Sequence, residues 1–307
     1  MIPVESMIPG LSLGFESKAS FQRLQSILKA ETSDLTFTNL FMWQCSYGLQ
    51  PVYMEAVDYW LLLARPLKHA PFFLPPLGDW SDQKKLKKVL EKMDQIATHE
   101  RSELRLRRVP QRLALALQQI DPSLRLTEDR RTFDYIYRTE DLINLSGRKY
   151  HSKRNHISQF QRKYTSWEYR RIDAEILAEC RMLDAEWFYI NKDGEREQTD
   201  EEQAMSLVIN NFQALDVVGA VIKIEGRIQA IAVGEPLNPD FAVIHIEKAN
   251  TDYEGIYAVI NQQFAADYFK EFQFINREED MGLEGLRKAK LSYHPALLVE
   301  KYTITRG

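Results

Sequence analysis

Over Ser17–Ala30 the apolar residues Phe21, Leu24, Ile27 and Leu28 recur at helical spacing and predict a helix, and Phe37, Leu40, Phe41 and Trp43 predict a second, shorter one. The pattern then turns to extended runs. Val52–Ala56 and Tyr59–Ala64 flank Val57 and Asp58 and read as a hairpin, whereas the proline-bearing stretch Pro71–Gly78 reads as a loop or a sheet edge. Asp79 or Ser81 is placed to cap a lysine-rich helix that ends near Thr98. Leu104–Val109 alternates like a strand, Pro110 suits the first turn of a following helix, and Phe133–Tyr137 is the last strand of this half.

A second series follows. Arg148–Tyr164 reads as a helix, Trp167–Ile172 as a strand and Ala174–Ile190 as a helix. Thr199 and Glu202 form a capping box that opens a helix reaching Leu215. Val217–Ile224 and Ile228–Val233 make a hairpin about Glu225 and Gly226, and Phe241–Ala249 is the next strand. Glu254–Phe269 is helical, Phe272–Asn276 a strand, Leu283–Leu291 helical, and Leu297–Ile304 a closing strand. This order belongs to an α/β chain, an α+β mixed sheet with a largely antiparallel start, whose two halves read as copies of one plan. The boundary falls near residues 140–147 and gives domains 1–143 and 144–307.

Composition narrows the function classes. With 307 residues there is room for two units of ordinary size, and 13 glycines and 12 prolines exclude a disordered or collagen-like chain. Forty basic against 44 acidic side chains give a net charge of −4, which excludes a globally basic nucleic-acid binder but not a local patch. Cys45 and Cys180 build neither a disulfide framework nor a zinc ribbon, so a cytoplasmic, reducing location is expected. Met1–Gly14 has no basic residue ahead of its apolar positions, unlike a secretory signal, and reads as a leader strand or arm. No apolar run approaches the roughly 18 residues of a membrane-spanning helix, which leaves only peripheral contact with a membrane.

Three constellations carry candidate chemistry. Arg148–Lys163 holds six Lys/Arg and no acid. Helical spacing puts Arg154 on the stripe of Tyr150, Ile157 and Phe160, where a guanidinium needs an anion, either an internal carboxylate or a phosphate or nucleic acid; Lys153 and Asn155 flank it. In the strand Phe241–Ala249, His245 and Glu247 share a face, either as a structural pair or lining a cleft with one of them as a proton acceptor. The run Asn276-Arg277-Glu278-Glu279-Asp280 follows a strand and precedes a helix, where α/β sheets place ligand groups. Its acids suit a substrate amino group better than a metal, since no histidine or second acidic cluster stands nearby, and no metal is expected. Arg287, Lys290 and His294 fall on one face of the next helix, which is either solvated or phosphate-binding. A nucleophile elbow, a Walker loop and a dinucleotide glycine fingerprint are all absent.

The segments Lys149–His156, His245–Lys248, Glu254–Tyr257 with Asn261 and Gln262, Asn276–Asp280 and Gly285–Pro295 together resemble uncharacterised bacterial proteins grouped with the C-terminal domain of phosphatidylglycerol lysyltransferase. The likeness to the lysyltransferase itself rests on the closing Gly-Leu-x-x-x-Lys-x-x-x-x-Pro pattern and on Lys301-Tyr302. It implies two tandem GNAT-like acyltransferase domains, a plan shared with the Fem peptidyltransferases, which pass an aminoacyl group from aminoacyl-tRNA to an amine or hydroxyl. The implied acceptor is a small molecule, a peptide or a lipid headgroup. In CoA-dependent relatives the junction after the fourth strand carries Arg/Gln-x-x-Gly-x-Gly/Ala, which cradles a pyrophosphate. Here Asp252-Tyr253-Glu254-Gly255-Ile256-Tyr257 keeps only the middle glycine and adds two carboxylates, so CoA is disfavoured and no cofactor is expected. On this reading Lys153, Arg154 and Lys290 bind phosphate, Glu278, Glu279 or Asp280 holds an α-ammonium, and Glu247 or His245 takes the acceptor's proton. Arg277 stabilises an oxyanion or pairs with the acids. A CoA-dependent N-acyltransferase and a non-catalytic protein that binds an anionic ligand are the competing readings.

Overall fold

The computed structural model describes residues 13–190 and 199–306, with side chains described for all of these but 183–190. The expected leader over Met1–Gly14 lies almost wholly outside the described residues. In chain order the elements are α1 (Lys18–Leu28), α2 (Phe37–Tyr47), β1 (Leu49–Met54), β2 (Tyr59–Ala64), β3 (Phe72–Leu77), α3 (Gln83–His99), β4 (Arg105–Pro110), α4 (Gln111–Ile120) and β5 (Leu124–Glu128). There follow β6 (Asp134–Arg138), α5 (Thr139–Asn144), α6 (His151–Lys163), β7 (Trp167–Arg171), α7 (Ala174–Ile190), α8 (Asp200–Asn210), α9 (Phe212–Leu215), β8 (Val218–Ile224) and β9 (Arg227–Asn238). The chain closes with β10 (Phe241–Ala249), α10 (Ile256–Tyr268), β11 (Phe274–Asn276), α11 (Glu284–Leu291), β12 (Leu297–Val299) and β13 (Lys301–Arg306).

Two compact units result: the described residues up to Asp134 with Glu279–Leu283 and those from Val299 onward, and Tyr135–Glu278 with Glu284–Leu298. The first has a mixed six-stranded sheet in the order β1-β2-β3-β4-β13-β5. Its hairpin forms as the pattern predicts, with Asp58 turned into the left-handed region at φ 61. The cap of α3 is Asp82, which accepts from the Lys85 amide at 3.0 Å, while the expected cap Asp79 is spent on a local turn with Ser81. Pro71–Gly78 is no edge: β3 is buried at every position between β2 and β4. Its prolines 75 and 76 fall where the β2–β3 register shifts between Trp60 and Leu62, a bulge that asks for no ladder donors. The expected closing strand is in fact two. Chain order hides this, because β12 pairs in one sheet while β13 inserts between β4 and β5 of the other.

The second unit has a seven-stranded sheet in the order β12-β6-β11-β10-β9-β8-β7. Residues 135–143, drawn with the first domain on sequence grounds, belong here: β6 pairs antiparallel with β11, and Tyr135, Tyr137, Leu142 and Leu145 sit in this unit's core. The helix expected to reach Leu215 breaks at Asn211 into α8 and α9, though its capping box of Thr199 and Glu202 is present. α10 lies across β8, β9 and β10 and packs against α5 and α6. Its apolar face of Ile256, Val259, Ile260, Phe264 and Ala265 is buried against the sheet. β10 and β11 are parallel, but their ladder ends at Val243 opposite Asn276 while β10 runs on to Ala249. That early parting opens a notch beside the carboxyl-terminal half of β10.

Candidate functional site

The notch is built by residues of the second unit. Glu247 stands near the end of β10, and Arg277 is the first residue past β11, so the parallel strands deliver both to one edge of the sheet. Arg277 Nη2 donates to Glu247 Oε1 at 2.7 Å, and Asn261 Nδ2, from α10, donates to Oε2 at 2.8 Å. The other ends of both partners are left over. Arg277 Nη1 and Asn261 Oδ1 are buried without a hydrogen-bond partner among the described residues. An orphaned donor and an orphaned acceptor beside one carboxylate cost about 1–3 kcal/mol each unless a ligand or water completes them.

Two aromatic rings shape the cations here. The Arg277 guanidinium carbon lies 4.8 Å from the Tyr293 ring centroid and 5.5 Å from that of Tyr137, and Lys153 Nζ lies 3.9 Å from Tyr293. Burial, reinforced by the charge of Arg277 and opposed by that of Glu247, lowers the Lys153 pKa to about 8. Burial would lower that of Arg277, but Glu247 outweighs it and keeps the guanidinium charged. Tyr293 is pushed up to about 12, chiefly by burial, and stays a phenol. Lys290 Nζ donates to the Arg277 carbonyl at 2.5 Å, fixing the main chain that carries the guanidinium. With Lys153 and Arg277 against Glu247, the notch is net positive.

The other expected site residues have different employment. His245 has a fully buried side chain held between Glu278, 2.8 Å from Nδ1, and Glu235, 2.9 Å from Nε2. Burial would lower its pKa, but the two carboxylates raise it to about 9, so at neutral pH both ring nitrogens donate and no lone pair is left for an acceptor's proton. The acids of 276–280 do not converge on one ammonium. Glu278 is taken by His245 in the second unit; in the first, Glu279 pairs with Arg108 at 2.7 Å and Asp280 with Arg130 at 3.3 Å. Asn276 is buried and accepts from the Glu278 amide. Arg154 answers its need for anions with the carbonyls of Leu145 and Gly147, the latter at 2.7 Å, tying α6 to the loop before it. Asn155 is exposed, 3.4 Å from His151 Nδ1, and Arg287 lies half-buried on α11.

Asn261 and Tyr293 were not singled out as site residues from spacing. The signal for Asn261 was present: it is the one amide amid the apolar face of a predicted helix. At the start of that helix Gly255 has φ +88, and a Cβ there would come within 2.4 Å of the His156 carbonyl oxygen. The glycine kept from the CoA-type pattern is thus explained by the contact of α10 with α6. Among the described residues no group of three or more His, Cys, Asp or Glu is placed to hold a metal.

The first unit carries a buried ionic network of its own. Lys301 Nζ bonds both Asp34 and Asp134, the latter at 2.7 Å, and Arg108 bridges Asp34 at 2.8 Å to Glu279 at 2.7 Å. Burial would raise the Asp34 pKa, but Lys301 and Arg108 lower it to about 2; for Asp134 burial prevails and the shift is upward. Arg108 reaches this position from a left-handed backbone at φ 60, a conformation a non-glycine residue adopts only when its surroundings enforce it. Lys301 belongs to the Lys301-Tyr302 pair that carries the family likeness, and nothing in its spacing shows that it is buried.

Comparison with known proteins agrees with this architecture. A protein of unknown function from Bacteroides thetaiotaomicron is 34% identical, with 98% of this chain and 100% of that one covered at a TM-score of 0.84. L-PGS from Bacillus licheniformis is 15% identical over 94% of this chain and 91% of that one, TM-score 0.64, and FemX is 10% identical over 95% and 96%, TM-score 0.60. These last two establish the mixed α/β, GNAT-like fold. An uncharacterised protein of Mycoplasmoides gallisepticum is 23% identical over 175 residues, and the chain spans about half (55%) of that relative's length. The family described as phosphatidylglycerol lysyltransferase, C-terminal, matches residues 25–305, and the chain belongs to it.

Proposed function

We propose that the protein is an aminoacyl- or acyltransferase that brings an activated ester, such as an aminoacyl-tRNA, against an amine or hydroxyl acceptor such as a lipid headgroup or a peptide. The observation that carries this reading is the notch around Glu247, where Arg277 Nη1 and Asn261 Oδ1 have no hydrogen-bond partner among the described residues and Lys153 adds a second cation. Arg277 Nη1 with Lys153 receives the oxygen that gains negative charge as the nucleophile attacks, or the phosphate of donor or acceptor. Glu247, held by Arg277 and Asn261 through one bond to each oxygen, keeps lone pairs free to take the nucleophile's proton. Asn261 Oδ1 accepts from an N–H or O–H of the bound substrate. The rate enhancement then comes from holding ester and nucleophile together beside these charges, with the ribose hydroxyl leaving.

A charged tRNA pool tests it directly. The expected result is binding at low salt and loss of the amino acid to an added acceptor, with Lys153→Met, which keeps the stem over Tyr293 and drops the charge, lowering turnover at least about tenfold without changing the melting temperature. The reading fails if the pool neither binds nor is deacylated. Micromolar binding of acetyl-CoA in calorimetry would favour the CoA-dependent alternative instead.

A further inference from the structure

The lysine-rich start of α3 belongs to the first unit and has no part in the notch. Lys84, Lys85, Lys87 and Lys88 are exposed and Lys92 is half-buried, while Leu86, Val89, Leu90, Met93 and Ile96 form the buried side of the helix. At about 100° per residue the five ammonium groups fall within an arc of about 160° and a rise of about 12 Å, which over these residues also holds Glu91. This arrangement works against the helix that carries it. Lys84 with Lys88 and Lys88 with Lys92 are like charges one turn apart, and Lys84 and Lys85 stand in a first turn that has no acid, where the helix dipole disfavours cations. Of the five, Lys85 alone is ion-paired among the described residues, to the cap Asp82 at 3.7 Å. A face kept for solubility alone would interleave glutamates at that spacing.

We propose that the lysine arc of α3 is a docking surface for an anionic lipid bilayer, to which the first unit adsorbs electrostatically. The inference does not depend on the reading of the notch. A cluster of this size on an amphipathic helix is the kind that anionic headgroups attract. Four-carbon stems let ammonium groups spread over a convex arc come down onto one flat plane. The arc itself has neither an arginine fork nor an aromatic face, the groups that read nucleic acid bases. α4 extends the surface, because Gln83 of α3 donates to Gln119 of α4 at 3.4 Å, and Arg112 and Leu115 lie on the same exposed stripe as Gln119. Arg112 adds a sixth cation, and Leu115, 49% exposed, offers an apolar side chain that suits lipid better than a phosphate backbone.

Cosedimentation of the full chain with vesicles tests this. Vesicles of phosphatidylcholine with about 30% phosphatidylserine are expected to bind the protein at about 0.1 M salt and to release it at about 0.5 M, whereas phosphatidylcholine alone is expected not to bind it. Each lysine at such a surface strengthens binding about fivefold, so Lys84→Gln with Lys88→Gln is expected to weaken it about 25-fold. The melting temperature of that variant is expected to stay level or rise, because the repulsion along the helix is relieved. Lys270→Gln with Lys288→Gln removes the same charge from exposed positions of the second unit and is expected to leave binding unchanged. Absence of binding to the anionic vesicles overturns the proposal, as does an equal loss with the Lys270 and Lys288 pair. An RNA duplex whose binding is lost with Lys84 and Lys88 while vesicle binding persists would assign the arc to nucleic acid and overturn the lipid assignment.

Discussion

His245 carries a charge where a histidine is costly to charge. Its side chain is out of water, and only the carboxylates of Glu235 and Glu278, one on each ring nitrogen, make the imidazolium affordable. Its folded pKa of about 9 lies above the ordinary 6.5, so folding takes up a proton in that range. The stabilisation is therefore complete below about pH 6.5 and is lost as the pH rises through about 9, and a shift of this size is on the order of 3 kcal/mol. Lys153 works against it in the upper part of this window, because its lowered pKa makes the folded state gain as the pH climbs from about 8 towards its ordinary value. Comparing the wild type with His245→Gln cancels the lysine. Urea unfolding is expected to show a deficit of several kcal/mol for the variant at pH 6 that shrinks markedly by pH 9.5. A deficit independent of pH would mean that the histidine is neutral in the folded protein.

At the level of elements, Gly255 decides between two accounts of the α6–α10 junction. A pyrophosphate cradle needs the glycine for a ligand, whereas here the His156 carbonyl of α6 occupies the space a Cβ would take, and φ is +88. Gly255→Ala is therefore expected to cost about 2–4 kcal/mol in unfolding free energy, from strain and overpacking together. Unchanged stability would return the glycine to a ligand-binding role. The same distinction shows what was legible beforehand. A helix with a clear apolar stripe, such as α1, and strands bounded by turn residues, such as β2 and β10, stand where hydrophobic spacing predicts them. β3 does not announce itself, because its two prolines are tolerated only where a partner strand bulges, and that register is a tertiary fact. In the notch, Glu247, Arg277, Lys153 and Lys290 were readable as charged residues at strand and helix ends. The sorting of their neighbours was not: His245 and the acids of 278–280 find partners in other elements, and Arg154 turns back to two main-chain carbonyls ahead of its helix, neither of which spacing records.

For the molecule as a whole, the decisive feature is that the first unit is finished by the last strand of the chain. Among the described residues β13 is the link in the sheet between β4 and β5, pairing with both, and it carries Lys301 into contact with Asp34 and Asp134. Without it, β5 has no neighbour, β4 loses one ladder, and two buried carboxylates face each other with no ammonium between them. Removing one partner of a buried ion pair typically costs about 3–5 kcal/mol, a large part of the stability of an ordinary domain. A fragment of residues 1–143, the first domain as drawn from sequence, is therefore expected not to unfold cooperatively in urea and to expose apolar surface to a dye such as ANS. The full-length Lys301→Met variant, which keeps the strand and drops only the charge, is expected to fold with a stability lower by that 3–5 kcal/mol. The pair of measurements separates strand from charge: a cooperative transition in the fragment would show that β13 is dispensable to this sheet, and an unshifted Lys301→Met would show that the carboxylates manage without their cation.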